Sequence, residues 1–356
     1  MSRRLKHTIV RAASFCGVDR LFRHINRKKL LVVMYHGITP NDYTPPIWTQ
    51  LPLKTFRQQI EYLSEHYVPV SLAEVTGAAR GVSTLPERAV LITFDDGLKN
   101  NYSVAFPVLQ ELNVPAAIFL TIDLIGSEEI LWFDELFFLL QEAAWHSVTP
   151  EMPDSAAQAF LQRGQVWESY VITVEALKRA GVAVRMREMA KLRAILPLDR
   201  HKLLEDFGLL NWDEVRTMHR SGLVEFGVHT ATHRILTELV DDEWEHEIID
   251  PKHVLEKKLD MEAAAFCFPN GKPQIDFRPD QVAALRKAGY SCAFTTESAL
   301  FDWTGGERMA IGRIPAGNDA TSDSSYFPLN ASGALHFVRD MVRGSRISTR
   351  AAGAET

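Results

Sequence analysis

Short, mainly apolar runs recur along this chain, each of a length that suits a strand better than a helix. They are Leu30–Tyr35 before His36, Val68–Leu72, Ala89–Phe94 before Asp95, Ala116–Thr121, Leu223–Val228 before His229, Ala264–Phe268, Cys292–Thr296 and Met309–Ile314. Unbroken apolar strands are buried on both faces, as in parallel sheets. Between the early runs lie segments with apolar residues at helical spacing, Phe56–Tyr67 and Asn101–Leu112. Trp212–Arg220 reads as another helix, with Asn211 as its candidate N-cap. Alternation of this kind means crossover units and an α/β fold. Seven or eight such strands point to a barrel rather than an open doubly wound sheet. No Gly-x-Gly-x-x-Gly or phosphate-loop motif follows any strand, which argues against a nucleotide fold.

The alternation lapses from about residue 126 to 210, where the pattern is helical and no strand is evident. The expected organisation is a basic amphipathic arm over 1–29, a barrel over 30–330 with this stretch as a helical insertion, and a C-terminal tail over 331–356. Aromatic residues of the insertion, Trp132, Phe133, Trp145 and Trp167, could stack on a ring-shaped ligand, although helical spacing more often means core.

Charge is unevenly placed. The chain carries a formal net charge of −6, yet residues 1–30 hold nine Lys or Arg and one acid, so that segment is +8 and the remainder −14. Leu5, Ile9, Phe15, Leu21, Phe22 and Ile25 are interspersed among the basic residues. The arm is therefore read either as a peripheral membrane contact or as a helix packed on the body with a solvated basic face. It lacks an aromatic stacking platform, so no nucleic-acid partner is expected. Three widely spaced cysteines, the lack of an apolar segment behind the basic start and the lack of any long apolar run suggest a cytoplasmic protein, membrane-associated at most.

In a parallel barrel, the loops after the strands share one face, and active sites lie there. His36, Asp95-Asp96 and His229-Thr-Ala-Thr-His233 all sit at strand ends, so residues nearly 200 positions apart would converge. No Glu stands between the two histidines, so this is not the His-Glu-x-x-His of metalloproteases. Alone, each pair is compatible with a structural role. Together they supply two imidazoles and a carboxylate, the ligand set of an open catalytic zinc site, with a second carboxylate to spare.

Thr93-Phe-Asp-Asp-Gly97 and His229-Thr-x-x-His233 resemble the first two motifs of the NodB-homology polysaccharide deacetylases, in the same order and strand context. The resemblance spans about residues 30–125 and 210–318 and implies a distorted (β/α)7 barrel. It implies that Asp95 is the general base and that Asp96, His229 and His233 bind a divalent metal, usually Zn2+. Phe268-Pro-Asn-Gly271 resembles the third motif, with Cys267 in place of its Arg and Asn270 in place of its Tyr, whose backbone N–H serves the oxyanion. Arg313 is the candidate substitute for the missing Arg; a surface or ion-pair role is the alternative. The family's late Leu-His motif has no counterpart in the barrel: after His253 the next histidine is His336, in the tail. Met34-Tyr-His36-Gly-Ile38 resembles the N-terminal strand of the branch acting on poly-N-acetylglucosamine, where the acid histidine lies early, and His36 takes that role by resemblance. The expected activity is metal-dependent N-deacetylation of an N-acetylated sugar, free, polymeric or lipid-linked. The alternatives are another metal-dependent amidohydrolase on this barrel, or a catalytically silent carbohydrate-binding module.

Overall fold

A computed structural model describes residues 3–41, 43–148, 150–337 and 339. The strands are β1 (Leu31–Tyr35), β2 (Gly37–Thr39), β3 (Gln50–Pro52), β4 (Val68–Pro69), β5 (Ala89–Phe94), β6 (Ala116–Leu120), β7 (Val224–Val228), β8 (Ala265–Cys267), β9 (Cys292–Phe294) and β10 (Ile314–Pro315). The helices of the arm and first half are α1 (Arg3–Phe15), α2 (Val18–Ile25), α3 (Leu53–His66), α4 (Leu72–Ala79) and α5 (Phe106–Leu112). The insertion holds α6 (Trp132–Trp145), α7 (Ser155–Gln162), α8 (Val166–Ala180), α9 (Val182–Ile195) and α10 (Arg200–Phe207). Then follow α11 (Trp212–Arg220), α12 (Asp250–Leu259), α13 (Pro279–Lys287) and α14 (Tyr326–Ala331).

The main sheet runs β10-β1-β5-β6-β7-β8-β9, all parallel, with β4 added beside β5. It curls so that its two ends meet at one segment. Ile311 pairs with Phe294 of β9, and three residues later Ile314 pairs with Val33 of β1. Seven strands thus make the circuit, a distorted barrel stitched along one seam.

Strand parity divides the core in two. Leu31, Val33, Tyr35, Val90, Ile92 and Phe94 pack outward on the helices. Val32, Leu91, Ala117, Phe119, Cys267 and Phe294 fill the lumen with α4 residues such as Val75. Side chains alternate along a strand, so the parity that points Leu91 and Thr93 inward carries on to Asp95 at the rim.

Of the expected strands, Val68–Leu72 and Met309–Ile314 are shortened most. In Val68–Leu72 only Val68 and Pro69 pair with β5, because Ser71 and Glu74 form a capping box that starts α4. In Met309–Ile314, Arg308–Ala310 is a 3-10 turn, with the Glu307 carboxylate accepting from Met309 N–H, and the strand proper is only β10. The β2–β3 pair was not expected. It is parallel and anchored to α10, whose Asp206 carboxylate accepts hydrogen bonds from Thr39, Asn41 and Tyr43. Asn211 caps α11 and forms a capping box with Glu214, as its sequence suggests.

No strand lies within the insertion among the described residues; its helices pack on one another through a separate cluster that includes Leu139, Leu161, Leu177 and Leu192. In the arm, Val10 packs on Leu329 and Ala334. Arg23 donates to Tyr62 Oη at 2.8 Å, and Asn26 Nδ2 to Ser332 O at 2.9 Å. The tail beyond Arg339 lies outside the described residues. No helix among the described residues is long and apolar enough to cross a membrane.

Where the insertion meets the barrel, Asp134 of α6 is buried. Thr49 Oγ1 donates to its Oδ1 at 2.8 Å, while Oδ2 has no partner. Burial pushes its pKa up to about 8, against the Thr49 bond and with help from the Asp96 charge. The folded-state pKa is thus raised above an unfolded value of about 3.9. The stabilising contribution is complete below the unfolded value and lost as pH rises through the folded one, at about 1.4 kcal/mol per pH unit in between. Asp134→Asn keeps an acceptor for Thr49 but cannot ionise. Its melting temperature, in the presence of a chelator, should fall less than the wild type's between pH 5 and pH 9. Parallel decline of the two proteins would place the titration elsewhere.

Candidate active site

β5 ends at Phe94, and the chain then turns sharply. Asp96 has φ 73° and Gly97 φ 79°. The turn sends adjacent carboxylates in different directions, Asp95 to the barrel rim and Asp96 toward the loop after β7. Thr230 (φ 64°), His233 (φ 60°) and Asn270 (φ 57°) share this left-handed backbone. Non-glycine residues seldom adopt it, and such strain gathers at functional sites.

The Asp95 carboxylate is buried and held by Arg313, from the seam segment, in a two-pronged pair. Nη1 reaches Oδ1 and Nη2 reaches Oδ2, each at 2.7 Å. Arg313 Nε donates to Thr295 O at 3.0 Å, so the guanidinium is also fixed from behind. Burial alone would raise the Asp95 pKa; the Arg313 charge and hydrogen bonds overcome it and hold the carboxyl below its ordinary value. Cys267, which occupies the third motif's arginine position, has its Sγ 3.5 Å from Asp95 Oδ1. The guanidinium missing from that position is thus met, in space, by one from the seam.

Asp96 behaves differently. Both its oxygens are buried and have no hydrogen-bond partner. His229 Nε2 lies 3.4 Å and His233 Nε2 3.2 Å from its Oδ1. His229 Nδ1–H donates to Cys267 O at 2.8 Å, which leaves Nε2 turned toward Asp96 with its lone pair available. Two ring nitrogens and a carboxylate with nothing else to bind fit a divalent cation. A second donor set, Asp95, His229 and Cys267, also comes within ligand distance. It fits less well, because Arg313 already engages both oxygens of Asp95.

The turn carrying His233 has a support that the sequence did not flag. The buried Glu247 carboxylate accepts from Ala231 N–H (3.1 Å), Thr232 N–H (3.1 Å) and Thr232 Oγ1. Glu247 belongs to a single π-helical turn, Glu245–Ile249, that opens α12. A similar turn, Asn101–Ala105, opens α5, and there Asn101 Nδ2 donates to His36 O at 2.7 Å. Turns of this kind often mark functional sites. Glu247→Ala should weaken the affinity of this donor set for a divalent ion on the order of 10- to 100-fold, as loss of an outer-shell support does. A competition titration against a chromophoric chelator measures this, and unchanged affinity would make the contact merely structural.

His36, Asp95, His229, His233 and Asn270 line one cavity of about 610 Å³; Arg313 is buried behind Asp95, and Asp96 behind the histidines. The Asn270 turn is tight: a side chain at Gly271 would meet Phe268 O and Thr296 N, each at 3.0 Å. Burial lowers the His36 pKa, against the pull of Asp96 and Asp95. Its ring lies 5.0 Å from that of Trp48, and the Phe133 ring lies 5.3 Å from that of His233. Trp48, Thr49 and, from the insertion, Phe133 and Tyr170 add walls that the motifs do not supply. Of the other aromatics named from sequence, Trp132 sits against Arg185, Trp167 packs on Phe137 and Tyr170, and Trp145 is exposed.

Comparison with known proteins gives a consistent picture. The poly-β-1,6-N-acetyl-D-glucosamine N-deacetylase of Escherichia coli strain K12 is 38% identical over 96 residues, 26% of this chain and 14% of that protein. The like-named protein of Staphylococcus epidermidis is 26% identical over 180 residues, 47% of this chain and 57% of its own. The chain thus matches only a small part of the first relative and somewhat more than half of the second. Among solved structures, a polysaccharide deacetylase from Bacillus cereus aligns with a TM-score of 0.55 at 19% identity, over 85% of this chain and 69% of that one. IcaB from Ammonifex degensii gives 0.55 at 19%, over 86% and 97%. These two likenesses establish the barrel. The polysaccharide deacetylase family model matches residues 83–293, more than half of the chain and both motif turns, and on that match the chain belongs to the polysaccharide deacetylase family.

Proposed function

We propose that this protein hydrolyses the acetamide of an N-acetylated sugar or polysaccharide, with a divalent cation, Zn2+ by its donor set, held by Asp96, His229 and His233. The observation that carries this reading is the division of labour between neighbouring carboxylates. Asp95 is ionised and clamped by Arg313, while Asp96 is buried with neither oxygen hydrogen-bonded and Oδ1 facing the two imidazoles. A bound ion at such a site polarises the amide carbonyl and acidifies water.

Asp95 accepts the proton of the attacking water, and its low pKa keeps it ready to do so across the neutral range. The left-handed turn at Asn270 presents the backbone N–H that stabilises the tetrahedral oxyanion. His36 delivers a proton to the nitrogen as the C–N bond breaks, since an amide anion is too poor a leaving group. The lowered pKa makes its imidazolium a stronger acid than an exposed one. The products are acetate and a free amino sugar. Phe133, Trp48 and Tyr170 offer ring faces and edges against which a pyranose packs.

The Escherichia coli and Staphylococcus epidermidis relatives are named for poly-β-1,6-N-acetyl-D-glucosamine, so oligomers of that sugar are the first substrates to test. Acetate release should appear with zinc and stop on chelation. Zinc bound at the site with no acetate from β-1,6- or β-1,4-linked N-acetylglucosamine oligomers would exclude these sugars; release from simple formamides or ring amides instead would favour the amidohydrolase reading.

A further inference from the structure

The outward face of α2 has an unusual make-up. Val18, Asp19, Phe22, Arg23 and Asn26 turn toward the body and are buried or half-buried, whereas Arg20, Leu21, His24, Ile25 and Lys28 are exposed. The exposed set follows the helical period and contains no acid. Leu21 and Ile25 are 57% and 58% exposed, and Phe15, at the end of α1, is 94% exposed. Arg20, Arg23, His24, Arg27 and Arg88 line a shallow cavity of about 440 Å³ together with a single acid, Glu87. Glu87 is paired with Arg27 at 3.2 Å, and Asp19 with Arg23 at 3.4 Å. Arg20, Lys28 and Arg88 have no carboxylate partner among the described residues. Positive charge therefore collects here, although the chain beyond residue 30 carries −14.

The place of this face in the fold gives it direction. Arg88 N–H donates to Arg27 O, directly before β5, and residues 26–30 lead into β1. The face thus lies at the end of the barrel where strands begin, whereas the candidate active site lies where they end. β1 alone, with five residues, separates the two by about 16 Å.

We infer that α2 and residues 26–29 dock this end of the barrel on an anionic lipid bilayer, with the cavity mouth opening away from the membrane. A helix face that mixes Leu and Ile with Arg, His and Lys and lacks acids suits the headgroup boundary. The apolar pair enters the acyl margin and the cations meet lipid phosphates. Charge complementarity selects an anionic surface over a neutral one. The geometry also bears on substrate under the function proposed above. A membrane-tethered saccharide would have to present its N-acetyl group about a barrel's height from the bilayer, which suits an extended chain better than a sugar at the headgroup.

Co-sedimentation of the full chain with phosphatidylcholine vesicles, with and without phosphatidylglycerol, tests this. Binding should require the anionic lipid and weaken with salt. Arg20→Glu/Lys28→Glu and Leu21→Ser/Ile25→Ser change only exposed positions. Each should reduce binding on the order of tenfold or more, the first by reversing basic charge at the surface and the second by removing apolar area that enters it. Thermal melting confirms that the variants fold, and acetate release from soluble oligomers stays at the wild-type level if the active site is separate. No vesicle binding, equal binding to neutral vesicles, or anionic binding undisturbed by either variant would overturn the inference. A concentration-dependent dimer lost in the Leu21/Ile25 variant, without vesicle binding, would replace the bilayer by a second copy of the chain.

Discussion

Asp95→Asn is expected to lower acetate release by about three to four orders of magnitude, near the upper limit of general-base catalysis, while the protein still binds one divalent ion. The amide keeps the shape of the carboxylate and one acceptor for Arg313, but it takes no proton at neutral pH. The ion should stay, because Asp96, His229 and His233 are untouched and the Asp95 oxygens are already occupied by Arg313. Metal content by mass spectrometry and single-turnover acetate release on the same sample separate the two roles. Activity within tenfold of wild type would move the base elsewhere. Loss of the ion would favour the competing donor set of Asp95, His229 and Cys267, and Cys267→Ser would then lose it too. The variant will also melt lower than wild type, since a buried guanidinium loses its counter-charge. Comparison therefore belongs well below its melting temperature.

The fold was legible because continuous apolar strands and helical spacing are local signals, and because polar residues at strand ends mark one face of a parallel barrel. Thr93–Gly97 and His229–His233 could be read as a site for the same reason: each motif is a single turn whose backbone and side chains are contiguous. The supports of those turns could not be read. Glu247 acts through three hydrogen bonds to residues well before it in the chain, and nothing in Glu-His-Glu-Ile-Ile distinguishes it from a solvent-facing glutamate. Asp134 resembles an ordinary acid in the first turn of a helix, favourable to the dipole, until packing places it beneath Thr49. Trp48 and Thr49 sit in a Pro-rich stretch with no periodicity. Their position depends on β2 and β3, strands of three residues each that side-chain bonds to α10 hold in place. The arm shows the converse. Its amphipathic character was plain, but only the structure divides it into a face packed on the body and a face left exposed.

Arg313 was legible in part, as an arginine beside a strand near the end of the barrel, and it gives the second large effect. Arg313→Met leaves the buried Asp95 carboxylate with Cys267 as its one side-chain hydrogen-bond partner among the described residues, and removing one partner of a buried ion pair costs about 3–5 kcal/mol. In the wild type the folded-state pKa of Asp95 is lowered, so its contribution to stability is present above the unfolded value and lost as pH falls through the folded one. In the variant burial acts unopposed by Arg313 and the pKa rises, reversing that dependence. The gap in melting temperature between wild type and variant should therefore be widest at pH 7–8 and narrow on acidification. The pH at which kcat/KM develops should move upward, because the base ionises later. Asp95→Asn/Arg313→Met supplies the control. It removes both charges, so it should recover part of the stability lost in Arg313→Met while remaining inactive. A pair that can be replaced at little cost in stability, yet not in turnover, is retained for the proton it handles. A double variant no more stable than Arg313→Met would instead make Arg313 chiefly a packing element of the seam.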